Sequence, residues 1–284
     1  MCDATSQLSP QTAGRVAEPE NDDVVPDAAA IEERNRRLAR AGVAAAQQLL
    51  VSRYRLGTSE AVFELLRDAS QRFNIKLHTL ADAVVRVPGP AVGAARWFPL
   101  RPRLPAPGLP GLVPSGGEGN VSHGTVLDRG LRRVLHITAT EMGNVQLAEQ
   151  GMLRLEKHTG LNRRFTEFFA FVGDSTTLCA QAAQTGHQST VKDIESSDVF
   201  DDASREAILQ TGSRAAHSLP ITSPAGQVIG MISSHHEQPL TGFSQPRLAA
   251  LETTGAVVGR WLYWHRNTIV LAALEHLHAT ATAA

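Results

Sequence analysis

A run of basic and hydrogen-bonding side chains between positions 53 and 79 offers the chemistry of polyanion recognition. Guanidinium and ammonium groups hold phosphates, whereas amide, hydroxyl and imidazole groups hydrogen-bond to bases. Residues 31–86 contain ten Arg or Lys and six Asp or Glu, a net charge of +4, whereas residues 1–27 contain one Arg and six acids, a net charge of -5. Such segregation indicates a nucleic-acid binder, although exposed arginines also serve solvation alone.

The eleven histidines raise the question of a metal site. His235 and His236 are adjacent in a predicted strand and therefore point to opposite faces, so we expect no shared metal. His217 either lines a cavity or is a satisfied core residue. Cys179 is either a small buried thiol or a ligand anchor or redox sensor. Asp193, at a strand end, is expected to orient the backbone donors of the next turn.

Several classes of protein are excluded by what the sequence lacks. It has no GxSxG, HExxH, Walker, CxxC or glycine-rich dinucleotide motif, so we expect no enzyme. Two cysteines make no disulfide framework, and no apolar run approaches the roughly 18 residues of a membrane span. The N-terminus lacks the pattern of a signal peptide. A cytoplasmic protein is expected.

Two short amphipathic helices must position the basic residues. Over residues 58–85 the apolar positions repeat with helical spacing in two sets: Val62, Leu65, Leu66, Ala69 and then Leu77, Leu80, Ala81, Val84. A longer helix is predicted over residues 27–55. It carries a thin heptad seam with Asn35 and Gly42 as its weak members, so pairing as a coiled coil and packing in a monomeric bundle both stay open.

The remaining composition divides the chain into five parts. We predict a disordered acidic tail (1–27), an all-α module (28–86), a Pro/Gly-rich linker (87–121), an α+β domain (122–268) and a C-terminal tail (269–284). In the linker, Trp97 and Phe98 are expected to dock onto one of the domains. The α+β domain is predicted as an antiparallel sheet with packed helices: strands 144–148, 152–158, 189–193, 214–221, 228–235; helices 124–142, 164–171, 177–185, 202–211, 245–267.

Residues 46–85 resemble the ANTAR domain of bacterial transcription antitermination regulators. The matching positions fall in three runs: Ala46, Leu49, Leu50, Arg53; then Phe63, Leu65, Leu66, Arg67; then Asn74, Lys76, Leu77, Leu80, Ala81. Gln47 and Gln48 stand where the family has Lys-Gly, which removes one positive charge. The resemblance implies a three-helix module, often paired by a preceding coiled coil, that binds RNA hairpin loops so that a terminator cannot form.

That resemblance assigns roles to ten candidate RNA-binding residues. Five would hold phosphates: Arg53, Arg55, Arg67, Arg72, Lys76. Tyr54 would stack on a base, and four others would hydrogen-bond to bases: Gln71, Asn74, His78, Thr79. Capping of a helix is an alternative role for Asn74.

Residues 124–266 resemble the GAF domain, a small-molecule sensing module of bacterial regulators. The resemblance rests on residues 143–147, 176–194 and 214–239 and on the closing helix, with Ala180 after Cys179 where the family usually has Gly. It implies a pocket for an unidentified small-molecule effector, with these candidate residues: Gln146, Phe168, Cys179, Asp193, His217, Met231. Related regulators place GAF first and ANTAR last, the reverse of the order here.

The sequence therefore predicts a signal-responsive antitermination regulator that binds RNA hairpins and forms a homodimer. The alternative is a protein–protein interaction or dimerisation module that binds no RNA. A DNA-binding regulator is disfavoured because no helix carries a dense base-reading face.

Overall fold

Three helices form the N-terminal module. The computed structural model describes residues 27–56, 58–102, 104–113, 121–173 and 186–283, and within them α1 spans Ala28–Tyr54, α2 Ser59–Arg72 and α3 Leu77–Arg86. Thr58 caps α2 by accepting a hydrogen bond from the amide of Ala61, and Glu60 lies in its first turn, as the helix dipole favours. Residues 28–86 are called the helical module below.

A tight corner joins α2 to α3. Asn74 adopts the left-handed conformation with φ of 50°, which Asn tolerates better than most residues and which ends the helix. The Ile75 amide donates to Ser70 O, and the Ser70 hydroxyl donates to Ile75 O at 2.6 Å. Asn74 thus shapes the C-terminal end of α2, whereas Lys76 occupies the N-cap position of α3.

The weak members of the α1 heptad seam face the C-terminal domain of the same chain. Asn35 donates to the carbonyl of Glu167, and neighbouring Arg34 donates to that of Phe168, both at 2.7 Å. A Cβ atom added at Gly42 would lie 2.7 Å from the side-chain nitrogen Nε2 of Gln150. Asn35 and Gly42 of the seam therefore pack against the C-terminal domain of the same chain.

The C-terminal domain is built on one six-stranded antiparallel sheet of order β3-β2-β1-β6-β5-β4. The strands are β1 Met142–Glu149, β2 Met152–Thr159, β3 Phe171–Val172, β4 Ser189–Val191, β5 Ala215–Thr222 and β6 Val228–His236. Its helices are α4 His123–Thr138, α5 Arg163–Phe168, α6 Asp202–Leu209 and α7 Gln245–His265. The predicted α+β class with an antiparallel sheet is confirmed, and the predicted helix over 177–185 lies outside the described residues.

Each face of the sheet buries its own core. Alternate residues of a strand point to opposite faces, so Val145 and Leu147 of β1 pack with α4 and α7, whereas Met142 faces a second cluster with α5 and α6. Gln150 and Gly151, with φ of 50° and 78°, form the two-residue turn between β1 and β2. Positive φ at both positions suits the twist of a hairpin, and this hairpin extends toward α3.

The segment predicted as a C-terminal tail is a helix, so that prediction is wrong. After α7 the chain makes a π-helical turn, Arg266–Val270, and continues as α8, Leu271–Ala283. Ala273, Leu274 and Leu277 are fully buried in the core of the helical module. Their partners lie some two hundred positions earlier in the chain, so local sequence alone did not reveal the packing.

Two parts of the linker pack onto the two domains. Trp97 is buried in the core of the helical module and donates to Pro88 O at 2.9 Å, while Leu109 and Val113 lie in the core under α4 and α7. The expected docking of Trp97 is therefore observed. None of the helices that the structure describes is long and apolar enough to cross a membrane.

Candidate functional site

One face of the sheet encloses a cavity that is apolar with a few polar groups. The aromatic lining comes from Phe165 in α5, from Phe169 at the C-terminal end of that helix, and from Phe200 just before α6. The polar lining comes from β1, β5 and β6: Asn144, Gln146, Ser218, Ser233, His235. Its volume of about 20 Å³ accommodates roughly one water molecule. This sheet cavity is filled by the protein's own aromatic rings, so a larger ligand requires them to move.

The polar groups of the sheet cavity form a buried network. His235 Nε2 lies 3.2 Å from Asn144 Oδ1, and His235 Nδ1 lies 3.2 Å from the Ser213 hydroxyl. Burial lowers the pKa of His235 to about 3, so the ring is neutral at pH 7. Gln146 donates to Phe169 O at 3.1 Å, and its buried Oε1 has no partner among the described residues. That oxygen is a ready acceptor for a ligand donor.

A second group of polar residues lies where the β1–β2 hairpin meets α3. Glu149 Oε2 is 2.8 Å from His78 Nδ1, and Glu149 Oε1 accepts from the Thr79 hydroxyl at 3.1 Å. Glu156, whose side chain is 1% exposed, pairs with Lys76 and lies 3.4 Å from His78 Nε2. We call these contacts of Glu149 and Glu156 with α3 the hairpin contact.

Charge balance stabilises the hairpin contact. Burial opposes the ionised form of Glu149, but the hydrogen bond and charge of His78 outweigh it and lower the pKa of that carboxyl. Nearby, burial and then the charge of Glu149 raise the pKa of Asp82, which accepts from the Gln150 amide at 3.2 Å. The two domains are thus joined by hydrogen bonds and ion pairs at the hairpin contact.

Three potential metal ligands meet here, yet their partners favour an ion-pair network. One ligand atom each of His78, Glu149 and Glu156 lies within 4.8 Å of the others. Both nitrogens of His78 already face carboxylates, and Glu156 also has Lys76 and, at 3.9 Å, Arg154 beside it. A cation would have to displace these positive groups.

The family comparison agrees with this architecture. The family model for the GAF domain matches residues 121–262, half of the chain. The chain belongs to the GAF domain family. No curated protein matches it, and the family match does not extend to the helical module.

Several solved structures are similar over the GAF domain. A GAF domain/HD domain protein from Geobacter sulfurreducens is 16% identical, with a TM-score of 0.44 over 52% of this chain and 97% of that one. The GAF domain of an Acinetobacter phosphoenolpyruvate-protein phosphotransferase is 16% identical, with a TM-score of 0.43 over 52% and 85%. A free methionine-R-sulfoxide reductase from Neisseria meningitidis is 15% identical, with a TM-score of 0.41 over 51% and 81%.

The predicted pocket residues of the GAF domain divide between the two faces of the sheet. Gln146 lines the sheet cavity. Met231, which pairs with Gln146 from the adjacent strand β6, belongs to the core cluster that packs under α5 and α6. Phe168 packs on that cluster, with its ring 4.8 Å from that of Phe169. Cys179 lies outside the described residues.

Two of the predicted pocket residues lie elsewhere. His217 hydrogen-bonds to Thr190 at 2.8 Å and meets the Phe243 ring at 5.1 Å, because its neighbours Ala216 and Ser218 take the cavity face of β5. Asp193 pairs with Arg214 at 3.2 Å and accepts from the Glu195 amide at 3.2 Å, the turn role expected for it. Burial and the charge of His236 lower the pKa of His217 to about 4.

Four polar residues of the sheet cavity were missed by sequence reasoning: Asn144, Ser218, Ser233, His235. The signal was the two-residue period of strands, since Asn144 and Gln146 alternate in β1 as Met231, Ser233 and His235 do in β6. Assigning which face is the cavity face required the packing of α5 and α6.

The predicted RNA-binding residues take three kinds of position. Five are exposed on the helical module: Arg55, Arg67, Gln71, Arg72, Asn74. Lys76, His78 and Thr79 lie in the hairpin contact. Arg53 stacks on Trp97 at 4.8 Å, and the Tyr54 hydroxyl meets His278 Nδ1 at 2.8 Å, so both help to fix the linker and α8.

Proposed function

We propose that this protein is a signal-responsive regulator whose GAF domain controls RNA hairpin-loop binding by the ANTAR-like helical module. The observation that carries the proposal is the hairpin contact. Three side chains with predicted RNA roles, those of Lys76, His78 and Thr79, contact two glutamates of the GAF domain. Lys76 would hold an RNA phosphate and His78 and Thr79 would hydrogen-bond to bases, so RNA would compete with the two carboxylates for these three side chains.

Strand β1 supplies a route from the sheet cavity to the helical module. It carries Asn144 and Gln146 into the cavity, and it ends at Glu149 in the hairpin contact. A ligand that moves the cavity side chains would shift β1 and with it the glutamates. Such control requires a ligand with different affinities for the closed and released arrangements.

The exposed residues give RNA a first place of contact. Arg55, Arg67 and Arg72 remain exposed while the hairpin contact is formed. Phosphates held there would bring unpaired loop bases toward the α2–α3 corner. Binding in the closed state is therefore weak and electrostatic, and it strengthens once α3 is released.

Gel shifts with a pool of RNA hairpins at two salt concentrations test this function. The wild type and the Glu149→Gln variant should both bind, with an affinity that falls as salt rises. Arg72→Ala should weaken binding and lower the slope of log K against log salt by about 1. Arg132→Ala, at an exposed position of α4, should change neither the affinity nor the slope.

One result would favour the interaction module instead. If neither protein binds any hairpin at low salt, although both sediment as folded dimers, the RNA function is rejected. The same sedimentation run tests the predicted homodimer.

A further inference from the structure

A second, larger cavity lies between the helical module and the GAF domain. It has a volume of about 330 Å³, within the range of small-molecule sites, and lies on the side of the sheet opposite the sheet cavity. Phe73 and Asn74 of the α2–α3 corner form one wall, and aromatic residues of the GAF domain form the other: His123, Trp261, Trp264, His265. We call it the aromatic cleft.

The rings of the aromatic cleft lie close together. His265 stacks on Trp261 with centroids 5.2 Å apart and planes 17° apart, and His123 lies 5.2 Å from His265. Trp264 is 5.5 Å from Trp261, and its indole nitrogen donates to Leu104 O of the linker at 2.9 Å. Fixed aromatic walls favour a planar aromatic guest, because stacking then loses little side-chain entropy.

Two neutral imidazoles supply hydrogen-bonding groups. Burial, followed by the charges of neighbouring groups such as His265, lowers the pKa of His123 to about 3. Burial and the charge of Arg266 lower the pKa of His265 to about 4. At pH 7 each ring therefore offers one donor and one acceptor, and neither ring hydrogen-bonds to any residue in the described part of the chain.

The backbone is irregular at the same place. The π-helical turn Arg266–Val270 follows His265 directly, and Ile269 of that turn lines the cleft. Single π-helical turns within long helices frequently occur at functional sites. The extra residue of the turn also re-aims the helix, so that α7 packs on the sheet and α8 on the helical module.

We propose that the aromatic cleft binds a nucleobase, stacked among its rings and hydrogen-bonded by His123 and His265. The base comes either from a free nucleotide or from an unpaired position of an RNA loop. Asn74 lines the cleft, and exposed Gln71 and Arg72 lie on the same corner, where they would contact the sugar and phosphate. Only the RNA source rests on the proposed function.

Calorimetry with the full chain tests the proposal, using AMP, GMP, CMP, UMP and a hairpin with an unpaired loop as probes. At least one probe should bind. Ile269→Trp, which fills the cleft from a partly exposed position, and His123→Ala should each weaken binding by about tenfold. His136→Ala, on the exposed side of α4, should leave it unchanged. Thermal melts establish that all variants are folded.

The outcomes separate the two proposals. If a nucleotide binds and no hairpin binds either the wild type or Glu149→Gln, the cleft is a small-molecule site and the RNA function fails. If a hairpin binds equally well to the wild type and to folded Ile269→Trp but is weakened by Arg72→Ala, the cleft proposal is overturned and the RNA function stands. If no probe binds the folded wild type at millimolar concentration, the cleft proposal is also overturned.

Discussion

At the scale of single residues, Glu156 is the most constrained charge between the two domains. Its side chain is 1% exposed and faces Lys76, His78 and Arg154. A buried carboxylate with three positive or donating neighbours is stabilised only while those neighbours stay in place. The residue therefore reports directly on whether the hairpin contact is formed.

Replacing Glu156 should lower stability through the domain junction. Glu156→Gln removes the charge and leaves Lys76 without its partner, which should reduce the free energy of unfolding by about 1.5–3 kcal/mol. Glu64→Gln, in an exposed pair with Arg67, is the matched control and should cost less than about 1 kcal/mol. Urea unfolding followed by tryptophan fluorescence measures both free energies, and equal effects of the two substitutions would contradict the burial of Glu156.

Buried histidines should make stability depend on pH. The pKa is lowered to about 3 for His123 and His235 and to about 4 for His217 and His265, first by burial in each case. An unfolded histidine titrates near 6.5, so below that pH the unfolded chain binds more protons than the folded one. The free energy of unfolding should fall by up to about 1.4 kcal/mol per pH unit for each histidine.

Thermal melts between pH 7.5 and 3.5 check the direction of this change. The midpoint should fall steadily below pH 6.5, and the lowered pKa of Glu149 should continue the fall below about 4.5. His235→Gln should make the slope shallower by about one proton, and an unchanged slope in this variant would exclude His235 as a source of the pH dependence. A midpoint that stays constant from pH 7 to 5 would show that these rings are not held neutral.

At the scale of elements, the long C-terminal helix joins the two domains. Its first part, α7, packs on the sheet, and α8 completes the core of the helical module around Ala273, Leu274 and Leu277. The π-helical turn between α7 and α8 allows the first helix to pack in the core of the GAF domain and the second to pack in the core of the helical module. The helical module therefore owes part of its stability to the last residues of the chain.

Truncating one buried side chain of α8 tests this packing. Leu274→Ala leaves a cavity at a fully buried position and should cost about 2–5 kcal/mol. Thr280→Ala, on the exposed side of α8, should change stability by less than about 0.5 kcal/mol. Near-zero effects of both changes would mean that α8 does not pack as described.

Periodicity predicted the elements that carry their own amphipathic pattern. Val62, Leu66 and Ala69 repeat with helical spacing in α2, and the strands predicted over 144–148 and 228–235 correspond to β1 and β6. Periodicity did not predict α8, because the apolar residues of Leu271–Ala283 pack against helices that lie far away in the sequence. The face taken by His217 and the partners of Lys76 were equally non-local, since both depend on how sheet and helices pack.

At the scale of the whole molecule, the GAF domain lies against α3 of the helical module, which under the proposed function is part of the surface presented to RNA. The hairpin contact covers α3, whereas Arg72 and Asn74 at the α2–α3 corner stay exposed beside the aromatic cleft. Under the proposed function, a regulator built in this way would hold RNA weakly until its GAF domain moves. The long C-terminal helix returns to the N-terminal helical module, so the GAF domain contacts that module although it follows it in the chain.

The most direct test of this account is the affinity of the full chain for one RNA hairpin, measured by fluorescence anisotropy. The measurement compares the wild type with the Glu149→Gln/Glu156→Gln double variant, and with Glu252→Gln, at an exposed position of α7, as the control. If the glutamates hold α3 away from RNA, the double variant should bind about fivefold more tightly or better, at the lower end of typical coupling energies, and the control should match the wild type. Equal affinity of the folded double variant and the wild type would contradict the claim that the GAF domain restrains RNA binding.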